Sequence, residues 1–348
     1  METELIKINP EFFADAELEP AAHLLRAGEL IIFPTETVYG IGGDATNPES
    51  ARKIYAAKGR PSDNPLIIHI SDPQDAAHYA GTSPLYEKLA KAFMPGPLTV
   101  ILPKKDIIPK EVTGGLDSVA VRCPSHPIAN ALIRLAGVPV AAPSANISGR
   151  PSATDAAAAL SDFQGRVPCI IDGGDAQFGL ESTIVKLTGP DSLVLLRPGA
   201  VTYDALCCVC ADVTVSDTVR RMLSADEHPI CPGMKYRHYA PAKPLSLLSG
   251  TPAQKQKFLD EVSRKESCVI LCYDEQAKTL GPMASVLCIG AEKDLAAQGH
   301  RLFSALREAD ALPGGQIYAN LPPEDGFGLA LYNRLIRAAA HTVITLEE

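Results

Sequence analysis

The segment from residue 33 to residue 70 constrains the fold more than any other stretch of the chain. It reads as a buried apolar strand, a glycine-broken loop, a helix and a second apolar strand. Asn47 suits the N-cap of that helix and Pro48 its first position, while Gly59 lies where a left-handed C-terminal residue is favoured. A strand, a helix and a strand in this order predict an α/β fold.

The same alternation of apolar runs and helical patterns continues along the chain. In the first part the predicted strands are 30–33, 66–70, 98–102, 119–122, 138–142, 169–171, 183–187 and 193–196. In the last part they are 245–248, 269–272, 286–289, 316–319 and 342–346, with helices near 252–266, 291–310 and 328–340. For this last part the pattern predicts a small, mostly parallel sheet with helices on both faces.

A length of 348 residues predicts two domains. We expect a first domain at 1–205, a linker at 206–243 and a second domain at 244–348. The linker contains CPGMKYRHYAPAKP, in which prolines prevent regular structure. Its aromatic and basic residues leave two interpretations open: an exposed loop held to the surface by its aromatics, or a segment that lies over an active site.

Composition narrows the function. The formal net charge of −9 disfavours a protein whose main partner is a nucleic-acid backbone. No apolar run approaches the roughly 20 residues of a membrane span, and the acidic N-terminus resembles neither a signal nor a transit peptide. Nine cysteines are expected to be reduced thiols, and the LCCVC cluster lacks the paired spacing of a zinc site. We expect a cytoplasmic protein without membrane contact.

The sharpest chemical signal is KGRPSDNPL, where Lys58 and Arg60 flank Gly59. Two cations on a turn stiffened by Pro61 and Pro65 can grip a polyphosphate, with Arg suited to bidentate contact and Lys to a point-charge contact. The alternative is a solvated helix end where both cations only complement the helix dipole.

The glycines of YGIGGDA partly match the dinucleotide fingerprint G-x-G-x-x-G/A. No acidic residue ends the next strand at the required distance, so glycines that let a loop turn tightly beside a ligand are the favoured interpretation. No P-loop motif occurs in the sequence.

Arg122 and Arg197 each end an apolar run that suits the interior of a sheet. A buried cation requires a partner, which for Arg122 is a carboxylate either of the protein or of a substrate. Short hydroxyl and amide side chains also follow predicted strands, where ligands of open α/β sheets bind. The strand predicted at 138–142 is followed by Ser144, Asn146 and Ser148, for which the alternative is a plain serine-rich turn. A similar loop ends with Ser182 and Thr183 at the start of the strand predicted at 183–187. Because no nucleophile elbow or HExxH motif occurs, we expect catalysis by positioning and charge stabilisation.

Together these stretches resemble the YrdC-like threonylcarbamoyl-AMP synthases, in the long form with an added C-terminal domain. The resemblance covers nearly the whole chain and rests on PTETVYGIGGDA, KGRPSDNPLIIHI, PGPLTVIL, AVRCPSHP, APSANISGRPSAT, ESTIV, LRPG, PGMKYRHYAP and GLALYNRLIRAA. It implies a twisted, open, mixed α/β sheet like that of double-stranded-RNA binders, followed by a smaller Rossmann-like three-layer domain.

The resemblance also implies the reaction. The family condenses L-threonine, bicarbonate and ATP, with Mg²⁺, to threonylcarbamoyl-AMP and pyrophosphate. The product serves the machinery that modifies tRNA beside the anticodon, and a weak RNA contact is conceivable. Threonine would be bound by Thr37, His69, Arg122 and Ser182. ATP would be bound by Lys58, Arg60, Asn64, Ser118, Ala142, Ser144, Asn146, Ser152, Arg197, Tyr236 and His238, with Lys58 and Arg60 catalytic, no fixed metal ligands, and residues 236–239 closing over the pocket.

Two other classes are weighed against this one. A carbamoyltransferase of hydrogenase maturation contains a similar domain, but this sequence lacks the paired CxxC motifs and the acylphosphatase region expected there. A non-catalytic RNA-binding module would bind RNA independently of ATP and threonine, and the acidic net charge disfavours it.

Overall fold

The computed structural model describes residues 2–221, 223, 227, 229–234 and 238–347. The chain divides into two compact units. The first comprises Met1–Ser148 and Ser152–Tyr236, and the second comprises Gly149–Pro151 and Arg237–Glu348. Each unit is described by itself below.

The first unit is built on an eleven-stranded mixed sheet. Its strands are β1 (Glu4–Lys7), β2 (Ile31–Phe33), β3 (Gly40–Asp44), β4 (Ile67–His69), β5 (Leu98–Pro103), β6 (Ser118–Arg122), β7 (Val140–Ala141), β8 (Cys169–Asp172), β9 (Thr183–Gly189), β10 (Ser192–Arg197) and β11 (Asp212–Val215). Their spatial order is β1-β8-β2-β3-β7-β4-β6-β5-β9-β10-β11. The predicted mixed α/β sheet is therefore confirmed.

Eight helices accompany this sheet in the described part of the first unit. They are α1 (Asp15–Arg26), α2 (Pro48–Lys58), α3 (Ala76–Tyr79), α4 (Pro84–Phe93), α5 (Lys110–Thr113), α6 (Pro127–Ala136), α7 (Ala156–Phe163) and α8 (Tyr203–Cys207). The predicted ends of α2 are confirmed, since the Asn47 side chain accepts a hydrogen bond from the backbone N–H of Glu49, and Gly59 adopts φ 61°.

The prediction of a glycine-broken loop after β2 is wrong, because Gly40–Asp44 forms strand β3 in the interior of the sheet. Its glycines are required for close packing. A Cβ on Gly42 would lie 2.7 Å from side-chain carbons of both Phe33 and Val140. These glycines therefore let bulky residues of the neighbouring strands meet over β3, rather than letting a loop turn.

The two faces of the sheet are covered differently. One face carries the main core, to which β4, β5 and β6 contribute Ile68, Val100 and Val121. On the opposite face, α1 and α6 cover the part of the sheet around β2 and β8. The other part of that face, which includes Ile67 and Ile101, packs against Cys231 and Met234 of the segment predicted as a linker.

Part of the predicted linker belongs to the first sheet. Strand β11 pairs in parallel with β10, and α8 precedes it. A short 3₁₀ helix, Asp217–Val219, follows.

The second unit contains a five-stranded sheet in which all the strand pairs are parallel. Its strands are β12 (Leu245–Ser249), β13 (Cys268–Cys272), β14 (Ala284–Cys288), β15 (Ile317–Asn320) and β16 (Val343–Thr345), and its helices are α9 (Pro252–Lys265), α10 (Asp274–Ala277), α11 (Leu295–Ala311) and α12 (Gly328–Ala338). All five residues of β13 are buried, so both faces of the sheet are covered. The predicted parallel architecture is confirmed. The order β14-β13-β15-β12-β16 differs from the usual doubly wound order by exchanging β12 and β15.

In the described part of the chain, every helix is too short or too polar to cross a membrane.

Candidate active site

A row of polar side chains crosses four neighbouring strands of the first sheet, near one end of those strands. The strands are β4, β6, β5 and β9. His69 at the end of β4 is in register with Arg122 at the end of β6, and Arg122 is in register with Thr99 on β5. Ser182 directly precedes β9, whose Thr183 is in register with Leu98 of β5. Strand pairing thus brings together three of the residues predicted to bind the amino acid.

These side chains share one face of the sheet. Residues two apart on a strand point to the same side, so His69 shares a face with Ile67, Arg122 with Ala120 and Thr99 with Ile101. The apolar member of each pair belongs to the cluster that contains Cys231 and Met234. The polar row therefore continues the sheet surface on which the segment containing residues 231 and 234 lies.

Thr37 lies in a tight buried turn that follows β2. The hydroxyl of Thr35 lies 2.9 Å from that of Thr37 and donates a 2.6 Å hydrogen bond to the carbonyl oxygen of Val38. Between the two threonines, Glu36 extends to the polar row. The turn therefore joins Thr37 to the group formed by His69, Arg122 and Ser182.

The partner of Arg122 is Glu36, which the sequence analysis did not select. Nη2 of Arg122 lies 2.7 Å from Oε1 of Glu36, and both side chains are almost fully buried. Of the two partners considered for Arg122, this structure shows the protein's own carboxylate. A signal for Glu36 existed in its position between two threonines directly after a buried strand.

Burial and charge determine the protonation of these groups. Burial raises the pKa of Glu36, but the Arg122 guanidinium and the backbone N–H groups of Glu36 and Ser125 together outweigh that effect and hold the pKa below its ordinary value. Burial, with a further contribution from Arg122, lowers the pKa of His69 to about 3. His69 is therefore a neutral imidazole at neutral pH, with Nδ1 lying 3.3 Å from the carbonyl oxygen of Val140.

Ser182 is held from two sides. Its hydroxyl lies 2.7 Å from the hydroxyl of Thr99. Arg197 donates from Nε to the Ser182 carbonyl oxygen at 3.0 Å and from Nη2 to its hydroxyl at 3.2 Å. Arg197 was expected on the nucleotide side, and these contacts join it to Ser182. Thr99, which the sequence analysis missed, carried no signal beyond its place in an apolar strand.

Lys58 organises a second group at the end of α2. Its ammonium donates to the carbonyl oxygens of Ser144, at 2.5 Å, and of Asn146. The hydroxyl of Ser144 in turn donates to Oδ1 of Asn146 at 2.5 Å. Only 2% of Lys58 is exposed, so this cation is not part of a solvated helix end.

Asp162, near the end of α7, holds the loop at 144–147 through a backbone hydrogen bond. Its Oδ2 accepts a 3.1 Å hydrogen bond from the backbone N–H of Ile147. The sequence contains no motif that would have singled out Asp162.

Arg60 shapes the turn that follows α2. Its guanidinium donates to the carbonyl oxygens of Asn64, at 3.2 Å, and Pro65, at 3.0 Å. The buried side-chain oxygen Oδ1 of Asn64 has no hydrogen-bond partner among the described residues. An amide oxygen in this position can accept a hydrogen bond from a ligand.

The segment after Thr37 links the two groups. The backbone N–H of Ala145 donates to the carbonyl oxygen of Tyr39 at 2.7 Å, and the N–H of Tyr39 donates to the carbonyl oxygen of Ala153 at 2.9 Å. Beside them, the hydroxyl of Ser152 donates to Oε1 of Glu181, the residue that precedes Ser182, at 2.5 Å. The structure thus connects the buried polar row to the loop held by Lys58, and this places neutral polar groups, a buried ion pair and two further cations in one part of the first unit.

Comparison with known proteins shows which family the chain belongs to. Residues 23–199 match the Sua5/YciO/YrdC family model described as telomere recombination, and residues 201–340 match the model of the C-terminal domain of threonylcarbamoyl-AMP synthase. The threonylcarbamoyl-AMP synthase of Bacillus subtilis is 43% identical over 332 residues, which is 95% of both chains. The enzyme of the same name from Pyrococcus abyssi is 42% identical and covers 93% of this chain and 94% of its own.

The chain belongs to the threonylcarbamoyl-AMP synthase family.

Solved structures of the family share the fold. A doubly substituted variant of P. abyssi Sua5 superposes with a TM-score of 0.92 at 37% identity and covers 99% of both chains. P. abyssi Sua5 complexed with L-threonine superposes with a TM-score of 0.89 at 37% identity and covers 100% of both chains. The predicted family, its long two-domain form and its class as an ATP-using transferase are confirmed.

Four further residues were expected to bind ATP in this synthase family. Ser118 begins β6, four residues before Arg122 and on the same face, which is about 13 Å away along the strand. His238 is buried in the second unit, with its ring centroid 5.5 Å from that of Tyr239. Tyr236 lies outside the described residues. Ala142 is close to the polar row, since its N–H donates to the carbonyl oxygen of Ile67.

Proposed function

We propose that this chain condenses L-threonine, bicarbonate and ATP to L-threonylcarbamoyladenylate and pyrophosphate. The observation that carries the proposal is the row formed by His69, Arg122 and Ser182 on one sheet face, in a chain that is 43% identical to a threonylcarbamoyl-AMP synthase over 95% of its length. The P. abyssi relative whose structure contains L-threonine supports the amino-acid substrate.

The amino acid occupies the polar row in this proposal. Its carboxylate binds the guanidinium of Arg122. Its hydroxyl and backbone atoms lie among Thr37, His69 and Ser182, whose neutral donors and acceptors suit a small polar side chain. A neutral His69 is required here, because a second cation beside Arg122 would repel the ammonium of the substrate.

ATP enters as its Mg²⁺ complex on the side of Lys58 and Arg60. The two cations hold the loops at 60–65 and 144–146 in place, and their charge lies near the phosphates. Asn64, Ser144, Asn146 and Ser152 provide the neutral contacts of the nucleotide. We keep Arg197, Ser118, Ala142, Tyr236 and His238 as proposed nucleotide contacts, as the family resemblance implies.

The proposed reaction has two steps. The amine of threonine attacks CO2 derived from bicarbonate, which forms an N–C bond and releases a proton from nitrogen. An oxygen of the resulting carbamate attacks the α-phosphorus of ATP, and the bond to the β-phosphate oxygen breaks as pyrophosphate leaves. The cations that flank Gly59 stabilise the charge that develops on the leaving group.

The product is a reactive mixed anhydride that passes to the tRNA-modifying transferase acting next to the anticodon. We place this transfer in the cytoplasm, where the acceptor tRNA serves translation. Direct contact with RNA, if made, is weak, because the chain carries a formal net charge of −9.

The proposed boundaries are a catalytic domain at 1–205, a linker at 206–243 that folds over the active site, and a second domain at 244–348. Packing of Cys231 and Met234 on the sheet face that carries the polar row supports the covering role of the linker. Because β11 pairs with β10, a test of the linker must keep residues up to 219. A chain ending there should lose turnover, and unchanged turnover and ATP affinity would show that the linker is not needed.

Pyrophosphate release from MgATP, measured with L-threonine and bicarbonate each present or omitted, tests the function. Release that requires both supports the synthase. Release that does not depend on threonine would redirect the assignment toward carbamoyl phosphate as substrate. RNA binding without any ATP or threonine dependence would indicate the non-catalytic alternative.

A further inference from the structure

The ion pair between Glu36 and Arg122 is almost completely buried. Only 3% of Glu36 and 4% of Arg122 is exposed. Nη2 of Arg122 lies 2.7 Å from Oε1 of Glu36, and weaker hydrogen bonds from the backbone N–H groups of Glu36 and Ser125 also reach the carboxylate. Two opposite charges therefore lie side by side in a buried place, and Arg122 is the main charged partner of the Glu36 carboxylate.

A buried ion pair generally contributes little net stability to a fold. Removing two charges from water costs several kcal/mol per ion, and the attraction repays this only with good geometry and further hydrogen bonds. Around this pair lie polar groups of the proposed amino-acid site, together with the backbone N–H of Ser125 and the side chain of His126. Arg122 lies next to His69 in the polar row, and the turn that carries Glu36 also carries Thr37.

The charges of the pair match those of an amino acid. A zwitterion carries one carboxylate and one ammonium, separated by a single carbon. If the substrate carboxylate bound Arg122 alone, the buried carboxylate of Glu36 would lose part of its compensation, and a buried charge without a partner is costly. An ammonium placed against Glu36 restores the balance.

Resting on the function proposed above, we propose that Glu36 binds the α-ammonium of the substrate and that the Glu36–Arg122 pair is a template for the zwitterion. The substrate carboxylate takes contacts on Arg122, and its ammonium takes contacts on Glu36. Glu36 is then a specificity-determining residue, which selects amino acids over hydroxy acids. Its charge state agrees with this role, because Arg122 holds the pKa of Glu36 below its ordinary value and keeps the group ionised.

The test compares two ligands on two proteins by calorimetric titration. The ligands are L-threonine and 3-hydroxybutanoate, which is threonine without its amino group. Wild type should bind threonine at least about 10-fold more tightly, since a hydrogen bond between charged groups contributes about 1.5–3 kcal/mol. Glu36→Gln should lose about 10- to 150-fold of threonine affinity and bind 3-hydroxybutanoate as well as wild type does, or better.

The comparison of ligands separates recognition from structure. If Glu36→Gln weakened both ligands equally, Glu36 would only hold Arg122 in place, and the proposal would be overturned. If the variant kept the preference for threonine, the ammonium would bind elsewhere. Should Glu36→Gln fail to fold, the wild-type titrations still decide, because equal affinity for threonine and its deamino analogue contradicts an ammonium site.

Different results would overturn the proposed function and the proposed role of Glu36. Threonine-dependent pyrophosphate release by wild type tests the function without reference to Glu36. A wild type that releases pyrophosphate with threonine but binds both ligands equally leaves the function standing and overturns only the role of Glu36. If no threonine-dependent release occurs, and threonine is bound no better than its analogue, both proposals fall.

Discussion

Lys58 is the residue whose replacement tests the nucleotide side most directly. Its ammonium is buried and donates to the carbonyl oxygens of Ser144 and Asn146, so it connects the end of α2 to the loop that follows β7. Lys58→Met keeps the length and apolar stem of the side chain but removes the charge and all three donors. We expect the loop to lose its fixed position.

The expected magnitudes differ for activity and for stability. Losing a charged hydrogen-bond donor costs about 1.5–3 kcal/mol, and both acceptors belong to one loop, so we count one such loss. For unfolding, methionine avoids the desolvation penalty of a buried ammonium, which offsets part of that cost. The free energy of unfolding should therefore fall by only about 1–2 kcal/mol, whereas threonine-dependent pyrophosphate release should fall about 10- to 150-fold.

Lys53 on the same helix provides the matched control. Its ammonium also donates to a carbonyl oxygen, that of Gly28, and to Glu29, but 42% of its side chain is exposed. Exposed pairs contribute about 0–1 kcal/mol, so Lys53→Met should leave pyrophosphate release within about twofold of wild type. Equal activity of Lys58→Met and Lys53→Met, with both close to wild type, would refute the role of Lys58 in holding the loop.

Three further predictions follow from the fold and the polar row. Gly42→Ala should lower the free energy of unfolding by about 1–3 kcal/mol through overpacking, as urea titration would show, while Gly81→Ala, with its nearest heavy atom at 3.7 Å, should be close to neutral. Because the pKa of His69 is lowered to about 3, the unfolded state binds the extra proton between about pH 6.5 and pH 3. The stability contributed by the neutral imidazole is thus complete above about pH 6.5 and is lost as pH falls, by up to about 1.4 kcal/mol per unit, and His69→Gln should flatten this slope between pH 6.5 and 5. Thr99→Val removes the hydroxyl that contacts Ser182 and should raise the KM for threonine about 5- to 10-fold without changing the KM for ATP; an unchanged KM for threonine would contradict the placement of Ser182.

Much of the site could be predicted from the sequence because its residues lie at strand ends. His69 and Arg122 each end a run of β-branched and apolar residues, and parallel pairing of β4 and β6 brings such ends to the same edge. Helix α2 could also be predicted from the sequence, because the residues that cap its two ends are strong local signals.

What could not be predicted depended on pairing over long distances in the chain. Strand β1 has a mostly exposed burial pattern and becomes a strand only by pairing with β8, more than 160 residues later. Strand β3 is rich in glycine, which has low strand propensity, and is stabilised by the strands on either side. The partner of Arg122 was undecidable for the same reason, since Glu36 approaches it only through tertiary structure.

The alternation of side chains along the strands connects the candidate active site to the core of the first unit. On β4 and β6, Ile68 and Val121 point into the main core, while His69 and Arg122 point to the opposite face. A slip of one residue in the register of β4 would bury His69 in the core and expose Ile68 at the site, so the apolar pattern itself selects the register in which His69 and Arg122 meet. Substitutions in the core that preserve volume should therefore change stability without changing substrate preference, because only a change of register could separate the polar row.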